Sequence, residues 1–196
     1  MNKDFTVKQF INFWGEKGYM HDWSAYDRNY LDDIMKIITS NVSKDTVFLE
    51  IGAGAGYWTN YIFEYVGKLI AFDVIDKPER VGANVVWMKR NEHQFNCEGI
   101  ESESIDFVFS YGVFCHFSNE ANKEYLQDIY RVMKKGGKAL LMYADADKWT
   151  DRNQCGSTYG FHTDRQMTMD LIKPYQFGIA EPIPEIRHTL LLLTKI

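Results

Sequence analysis

Long basic runs are missing from this 196-residue chain, which carries 22 Lys and Arg against 27 Asp and Glu, a formal net charge of -5. No basic run is longer than a pair such as Lys134-Lys135. Proteins whose main activity is to grip nucleic acid present a basic surface to the phosphate backbone. We therefore expect no nucleic-acid partner.

Long apolar segments are also missing. Runs such as residues 190–193 end after a few positions, whereas a helix that crosses a bilayer needs about 20 apolar residues. Residues 1–6 lack the basic and then apolar layout of a secretory signal. The sequence therefore predicts no membrane association and no export, and so a cytoplasmic protein.

Cysteine is scarce, and the three residues present, Cys97, Cys115 and Cys155, show no C-x-x-C spacing. An odd number of unpatterned cysteines is typical of reduced thiols and offers no zinc framework, so we expect no bound metal. The length suits one domain, 1–196. We divide it into an N-terminal helical cap, 1–44, and a core, 45–196, and expect a monomer or a homodimer.

Apolar periodicity defines the cap. Residues 6–17 and 25–39 carry apolar side chains at helical spacing, including Phe10 and Phe13 in the first and Ile34 and Ile38 in the second, which predicts two helices. Residues 18–24 between them are polar, aromatic and bounded by glycine, which predicts a loop.

Short apolar runs alternate with helical patterns in the core, which is typical of βαβ units. The predicted strands span residues 46–51, 69–73, 84–88, 105–110, 138–143 and 189–195, and a further run covers 175–180. Their nearly continuous hydrophobicity indicates strands buried on both faces of a parallel sheet. A helix through Leu126 and Ile129 is predicted to end at Gly136-Gly137, after the basic pair. Another helix is predicted near residues 163–173, after an irregular stretch over 144–162.

Three alternate glycines, Gly52, Gly54 and Gly56, join the first core strand to the next helix. Such a turn at a helix N-terminus presents backbone amides to a ligand at the carboxyl edge of the sheet, although alternate glycines can also simply make a tight turn. The dinucleotide fingerprint G-x-G-x-x-G would require glycine where Tyr57 stands. A nicotinamide-dependent oxidoreductase is therefore disfavoured.

Glu50, two places before this glycine cluster, completes a segment that resembles motif I of the class I S-adenosylmethionine-dependent methyltransferases. The resemblance extends over residues 46–137. It implies a Rossmann-like α/β fold, in which a seven-stranded, mostly parallel sheet of order 3-2-1-4-5-7-6 has helices on both faces and an N-terminal helical cap, with 189–195 as the antiparallel strand. It also implies S-adenosylmethionine as cofactor and S-adenosylhomocysteine as product.

Site residues follow from the same resemblance. Asp73, at the end of the second strand, would accept hydrogen bonds from both ribose hydroxyls. Asn91 would face the adenine amino group, at a position where the family often has Asp. Ser110 and Tyr111, at the end of the strand that Asp106 opens, would lie near the transferred methyl group. The cofactor-binding set implied in this way comprises Glu50, Gly52, Ala53, Gly54, Gly56, Asp73, Val74, Asn91, Glu92, Ser110, Tyr111 and Tyr26.

A hydroxyl acceptor would need a base to remove its proton, and His116, just beyond the fourth strand, is the best-placed candidate because imidazole titrates near neutrality. A histidine at this position can instead pack over the cofactor. The runners-up are His21, His162, Asp145 and Asp147. The two aspartates follow the fifth strand, where some sugar and catechol methyltransferases hold magnesium, but an alternating Asp-Ala-Asp is more often solvated charge.

Aromatic residues of the cap, among them Tyr19, Trp23 and Tyr30, would shape one wall of an acceptor pocket or pack the cap onto the sheet. Residues 149–162 would form the other wall. The short chain favours a small-molecule acceptor. We expect a hydroxyl first of all, for example that of a sugar, while N- or C-methylation and a non-catalytic S-adenosylmethionine-binding protein remain alternatives.

Overall fold

The computed structural model describes residues 23–91, 94–143, 145–148, 164–184 and 189–196, without the side chains of 23–29, 115 and 146. Its helices are α1 (Trp23–Thr39), α2 (Tyr57–Ile62), α3 (Asn119–Val132) and α4 (Arg165–Ile172). Its strands are β1 (Val47–Ile51), β2 (Lys68–Asp73), β3 (Val85–Lys89), β4 (Ile105–Ser110), β5 (Met133–Tyr143), β6 (Phe177–Ala180) and β7 (Thr189–Lys195). Short 3-10 turns cover Phe63–Tyr65, Phe114–His116 and Ala146–Lys148.

The strands form one seven-stranded sheet of order β3-β2-β1-β4-β5-β7-β6, which confirms the order that the family resemblance implied. The pairs among β1 to β5 are parallel, and β7 runs antiparallel to both β5 and β6. Glu50 of the central strand β1 pairs with Ala71 on one side and Phe109 on the other. The carboxyl ends of β1, β2 and β4 therefore meet at one edge of the sheet.

Apolar side chains cover both faces of the sheet. On one face, Ile34 and Ile38 of α1 and Ile62 of α2 pack over Phe48. On the other face, residues of α3 and α4 pack over β1 and β5, including Leu126, Ile129, Ile172 and Leu141. Burial on both faces accounts for the unbroken hydrophobicity of the strand sequences.

Helix α3 ends at Val132, so the prediction that it would run to Gly136-Gly137 was wrong. The backbone N–H groups of Glu103 and Ser104 donate to the carbonyls of Arg131 and Val132, which caps the helix end without a glycine. Met133 already pairs with Ile105 as the first residue of β5.

The cap is described only in part. The predicted helix over 6–17 lies outside the described residues, and α1 begins at Trp23, within the predicted loop over 18–24. Most of the irregular stretch over 144–162 also lies outside them. Within the described ranges, the model contains no helix with the length and apolar character that a membrane crossing requires.

Candidate functional site

The glycine loop between β1 and α2 is fastened to the end of β2. The N–H groups of Gly52 and Ala53 both donate to the carbonyl of Phe72, at 2.8 and 3.0 Å. Gly52 and Gly54 have φ of +77° and +56°, values that residues with a Cβ rarely adopt. A Cβ on Gly52 would lie 2.0 Å from Val113 Cγ2, whereas one on Gly54 would meet no atom of the part of the chain that the structure describes within 4 Å. The loop is therefore packed at its first glycine and open at its second.

Asp73 closes β2 and holds the open part of the glycine loop. Its Oδ2 accepts from the N–H of Gly54 at 2.7 Å, and its Oδ1 accepts from the N–H of Ile75 at 3.0 Å. Burial raises the pKa of this carboxyl, and the hydrogen bonds from Ile75 and Gly54 oppose that rise. The carboxylate thus joins two turns that both lie at the carboxyl edge of the sheet.

Glu50 lies beneath the same loop with a side chain that is only 1% exposed. Its Oε2 accepts a hydrogen bond of 2.6 Å from the hydroxyl of Thr59, a fully buried residue of α2. Burial raises the pKa of Glu50 to about 7, the Thr59 hydroxyl partly offsets this, and the nearby charge of Asp73 adds to it. A pKa of about 7 means that this carboxyl titrates close to neutral pH.

The chain after β4 forms the neighbouring part of the site. The buried hydroxyl of Ser110 donates to the carbonyl of Ile51 at 2.9 Å, which ties the ends of β4 and β1 together. The Tyr111 ring lies 5.2 Å from that of Trp58. Gly112 has φ of +73° and, like Gly54, has space for a Cβ. Two glycines, Gly54 after β1 and Gly112 after β4, thus leave space beside the backbone among the described residues.

The loop after β3 carries the predicted adenine-side residues. In this loop Asn91 is exposed and Glu92 lies outside the described residues, whereas Val74, which follows β2, is half-buried. The N–H of Asn91 donates to Gln94 Oε1 at 3.3 Å, and the N–H of Gln94 donates back to the Asn91 carbonyl at 3.1 Å. Asn91 is therefore held in a short closed turn.

His116 ends the 3-10 turn Phe114–His116 and is half-buried. Its N–H donates to the carbonyl of Val113 at 2.9 Å, and Val113 is the residue whose side chain closes over Gly52. The candidate base is thus three residues along the chain from a direct contact with the glycine loop. The other histidine candidates, His21 and His162, lie outside the described residues, as does the side chain of Tyr26.

Asp145 is not the solvated loop acid that the sequence predicted, since it is only 1% exposed. Its carboxylate accepts hydrogen bonds from the Thr189 hydroxyl and, at 3.1 Å, from the N–H of Asp147. Asp147 itself is exposed. Among the described residues, no group of three His, Cys, Asp or Glu side chains could hold a metal ion.

Sequence reasoning missed three residues that shape this site, namely Thr59, Val113 and Arg90. Thr59 contacts Glu50, Val113 contacts Gly52, and the guanidinium of Arg90 lies 4.4 Å from the ring centroid of Phe72. The signal for Thr59 was present, since a polar residue stands on the face of α2 that Trp58 and Ile62 bury. Val113 and Arg90 gave no such signal, because their roles depend on contacts between distant segments.

Comparison with known proteins gives a consistent assignment. A family model described as a methyltransferase domain matches residues 49–141. A methyltransferase-like protein of Schizosaccharomyces pombe is 29% identical over 136 residues, which are 64% of this chain and 50% of that protein. Phosphoethanolamine N-methyltransferase 1 of Triticum aestivum is 27% identical over 123 residues, 59% of this chain and 24% of that enzyme. The chain thus spans half or less of the curated relatives it matches.

The fold has solved counterparts. The crystal structure of Haemonchus contortus phosphoethanolamine N-methyltransferase 1, in complex with phosphoethanolamine and S-adenosylhomocysteine, superimposes with a TM-score of 0.64 at 15% identity. The match covers 100% of this chain and 50% of that one. At this identity the likeness establishes the fold alone, and the sequence similarity over 49–141 is to a methyltransferase domain.

Proposed function

We propose that this chain is a class I S-adenosylmethionine-dependent methyltransferase that transfers a methyl group from S-adenosylmethionine to a small-molecule acceptor, which the methyltransferase-domain match and the methyltransferase-like relative support. The observation that carries the proposal is the glycine loop, which is open at Gly54 and tied to the carboxylate of Asp73. A loop that leaves bare backbone next to a strand-end carboxylate suits a ligand with hydroxyl groups.

The residues present fit this cofactor. Each oxygen of Asp73 accepts a backbone N–H, and the carboxylate keeps acceptor capacity for ribose hydroxyls. Among the described residues, Gly54 and Gly112 leave room for a methyl group beside the backbone, and the remaining body of the ligand would lie along them. Asn91, exposed in its closed turn, would face the adenine. When bound, S-adenosylmethionine supplies a methyl group made electrophilic by the sulfonium. The chain's own contribution is then mainly to hold the acceptor in line with that methyl group.

For the acceptor we propose a hydroxyl group first, with His116 as the base that takes its proton. The position of His116, at the end of the short turn that begins after Val113, whose side chain contacts Gly52, supports this role. An amine is the second candidate, because the wheat relative and the Haemonchus contortus structure both carry names that specify methylation of the phosphoethanolamine nitrogen.

A panel assay with methyl-labelled S-adenosylmethionine separates the hydroxyl and amine candidates. Label on sugar or catechol oxygens would support the first candidate, label only on amines such as phosphoethanolamine would replace it, and no label despite cofactor binding would favour a non-catalytic protein.

Replacing Asp73 by asparagine should weaken S-adenosylhomocysteine binding by about 10- to 100-fold, because hydrogen bonds to a charged acceptor contribute about 1.5–3 kcal/mol. Calorimetric titration measures this. The matched control is Asp76→Asn, since Asp76 is exposed and makes an ion pair with Lys89 at the same strand end. Equal affinities in wild type and Asp73→Asn would remove Asp73 from the cofactor site.

Replacing His116 by alanine should lower kcat by about 100-fold or more and leave the dissociation constant of S-adenosylmethionine unchanged, because a general base acts only in the transfer step. Steady-state rates with the acceptor found in the panel, together with a binding titration, measure both quantities. His116→Gln, which keeps a similar volume, should lose as much activity as His116→Ala. An unchanged kcat in either variant would assign His116 a packing role.

A further inference from the structure

The guanidinium of Arg90 is a buried charged group to which the proposed function assigns no role. Arg90 follows β3 directly and is only 8% exposed. Its Nη1 donates to the carbonyl of Glu98 at 3.0 Å, and its Nη2 donates to the carbonyl and side-chain oxygens of Asn96 at 2.9 and 3.0 Å. One side chain thus holds several oxygens of the segment that follows the adenine-side turn.

The same group also contacts the end of β2. Its central carbon lies 4.4 Å from the ring centroid of Phe72, and the N–H of Arg90 donates to the carbonyl of Asp73 at 2.7 Å. The carbonyl of Phe72 in turn accepts the N–H groups of Gly52 and Ala53. Arg90 is therefore packed between the strand end that carries the glycine loop and the segment over 94–98.

The segment over 94–98 closes back on Asn91. The Gln94 side chain accepts from the N–H of Asn91 at 3.3 Å and donates to Glu98 Oε2 at 2.7 Å. The N–H of Gln94 also donates to the Asn91 carbonyl at 3.1 Å. The backbone of Asn91 is thus connected, through Gln94 and Glu98, to the oxygens that Arg90 holds.

We propose that Arg90 is a positioning residue for adenine recognition: its guanidinium fixes the segment over 94–98 against β2, so that Asn91 meets the adenine in a fixed orientation. The inference rests on the proposed function. Only a planar group with several donors can stack on Phe72 and reach both Asn96 and Glu98, so lysine should not replace Arg90. Fixing the segment in advance lowers the ordering cost when the ligand binds.

Arg131 provides a matched control. It grips the same loop from α3, donating to the carbonyls of Ile100 at 3.0 Å and Cys97 at 3.3 Å, and it forms an ion pair of 2.7 Å with Asp128. None of its hydrogen bonds given for the described residues reaches Asn91 or Gln94. Arg131→Lys should therefore loosen the loop without changing adenine recognition.

The experiment compares two ligands, S-adenosylhomocysteine and its analogue in which a hydrogen atom replaces the 6-amino group, so that the Asn91 amide has no partner at that position. Calorimetric titration of the full chain gives the ratio of their affinities. Wild type should prefer the adenine ligand by about 10-fold, Arg90→Lys should bring the ratio close to one mainly by weakening the adenine ligand, and Arg131→Lys should keep the wild-type ratio.

Other outcomes separate the inference from the proposed function. Wild type that binds neither ligand would contradict the proposed function itself. Wild type that binds both equally, or an Arg90→Lys variant that keeps the preference or loses both ligands alike, would overturn the role of Arg90. Should Arg90→Lys fail to fold, Gln94→Ala cuts the link between Glu98 and Asn91 outside the core and should lower the ratio by about 3-fold. An unchanged ratio in Gln94→Ala would overturn the inference as well.

Discussion

Gly54→Ala is expected to weaken S-adenosylhomocysteine binding by about 100-fold or more while the protein stays folded. The added methyl group would meet no atom of the described residues within 4 Å, so we expect it to occupy the space that the proposed ligand needs. The left-handed backbone at φ of +56° costs alanine about 1–2 kcal/mol of unfolding free energy, which a domain of this size tolerates. Binding titration and denaturant unfolding measure the two effects.

Gly52→Ala serves as the contrasting variant, because its Cβ would lie 2.0 Å from Val113 Cγ2. It should lower the unfolding free energy by about 2–5 kcal/mol, the sum of the backbone cost and of overpacking. Adding Val113→Ala should restore part of this loss, since the clashing group is removed. If Gly54→Ala bound the cofactor as wild type does, the open side of the loop would not be the ligand site.

Glu50→Gln is expected to stabilise the protein at pH 8 by about 3 kcal/mol, since the pKa of Glu50 rises from 4.5 to about 7 on folding and each unit corresponds to about 1.4 kcal/mol. The folded state holds the proton more tightly than the unfolded state. The stability associated with the protonated carboxyl is therefore present below pH 4.5 and is lost as the pH rises through about 7. Glutamine is neutral throughout and can still accept the Thr59 hydrogen bond, so this loss disappears.

Denaturant unfolding at pH 4.5 and pH 8 measures the effect. The unfolding free energy of Glu50→Gln should exceed that of wild type at pH 8 and nearly equal it at pH 4.5. Thr59→Val is the matched control, because it removes the hydroxyl that lowers the pKa of Glu50 and should make the loss at pH 8 larger. If Glu50→Gln instead destabilised the protein equally at both pH values, Glu50 would be ionised and fully hydrogen-bonded in the folded protein, which would contradict this account.

The sheet could be predicted from the sequence because its strands are buried on both faces and therefore stand out as apolar runs between helices. The order of the strands came from the family resemblance of the segment from Glu50 to Gly56, not from the runs themselves, and the model confirms it. The end of α3 could not be predicted, because its last carbonyls are capped by Glu103 and Ser104, which precede β4 in the chain. The basic pair and the two glycines predicted a later helix end, but hydrogen bonds from a distant segment determine where the helix ends.

The location of the candidate site could be predicted from the sequence, but the contacts between distant residues around it could not. Glycine spacing and strand-end acids locate the loop and Asp73, since both lie where parallel strands end. The burial of Asp145 depends on Thr189 of β7, more than forty residues away, so an acidic loop sequence predicted solvated charge. The role of His116 and the ligand contacts of all the predicted cofactor-binding residues, Asp73 and Asn91 included, stay predictions.

The most direct test of the central claim is a calorimetric titration of the full chain with S-adenosylmethionine, S-adenosylhomocysteine and NAD. The glycine loop, open at Gly54 and followed by Tyr57 where the dinucleotide fingerprint has glycine, predicts saturable binding of the first two ligands at one site and no binding of NAD. Binding of NAD, or no heat with either sulfur ligand, would contradict the methyltransferase assignment of this site.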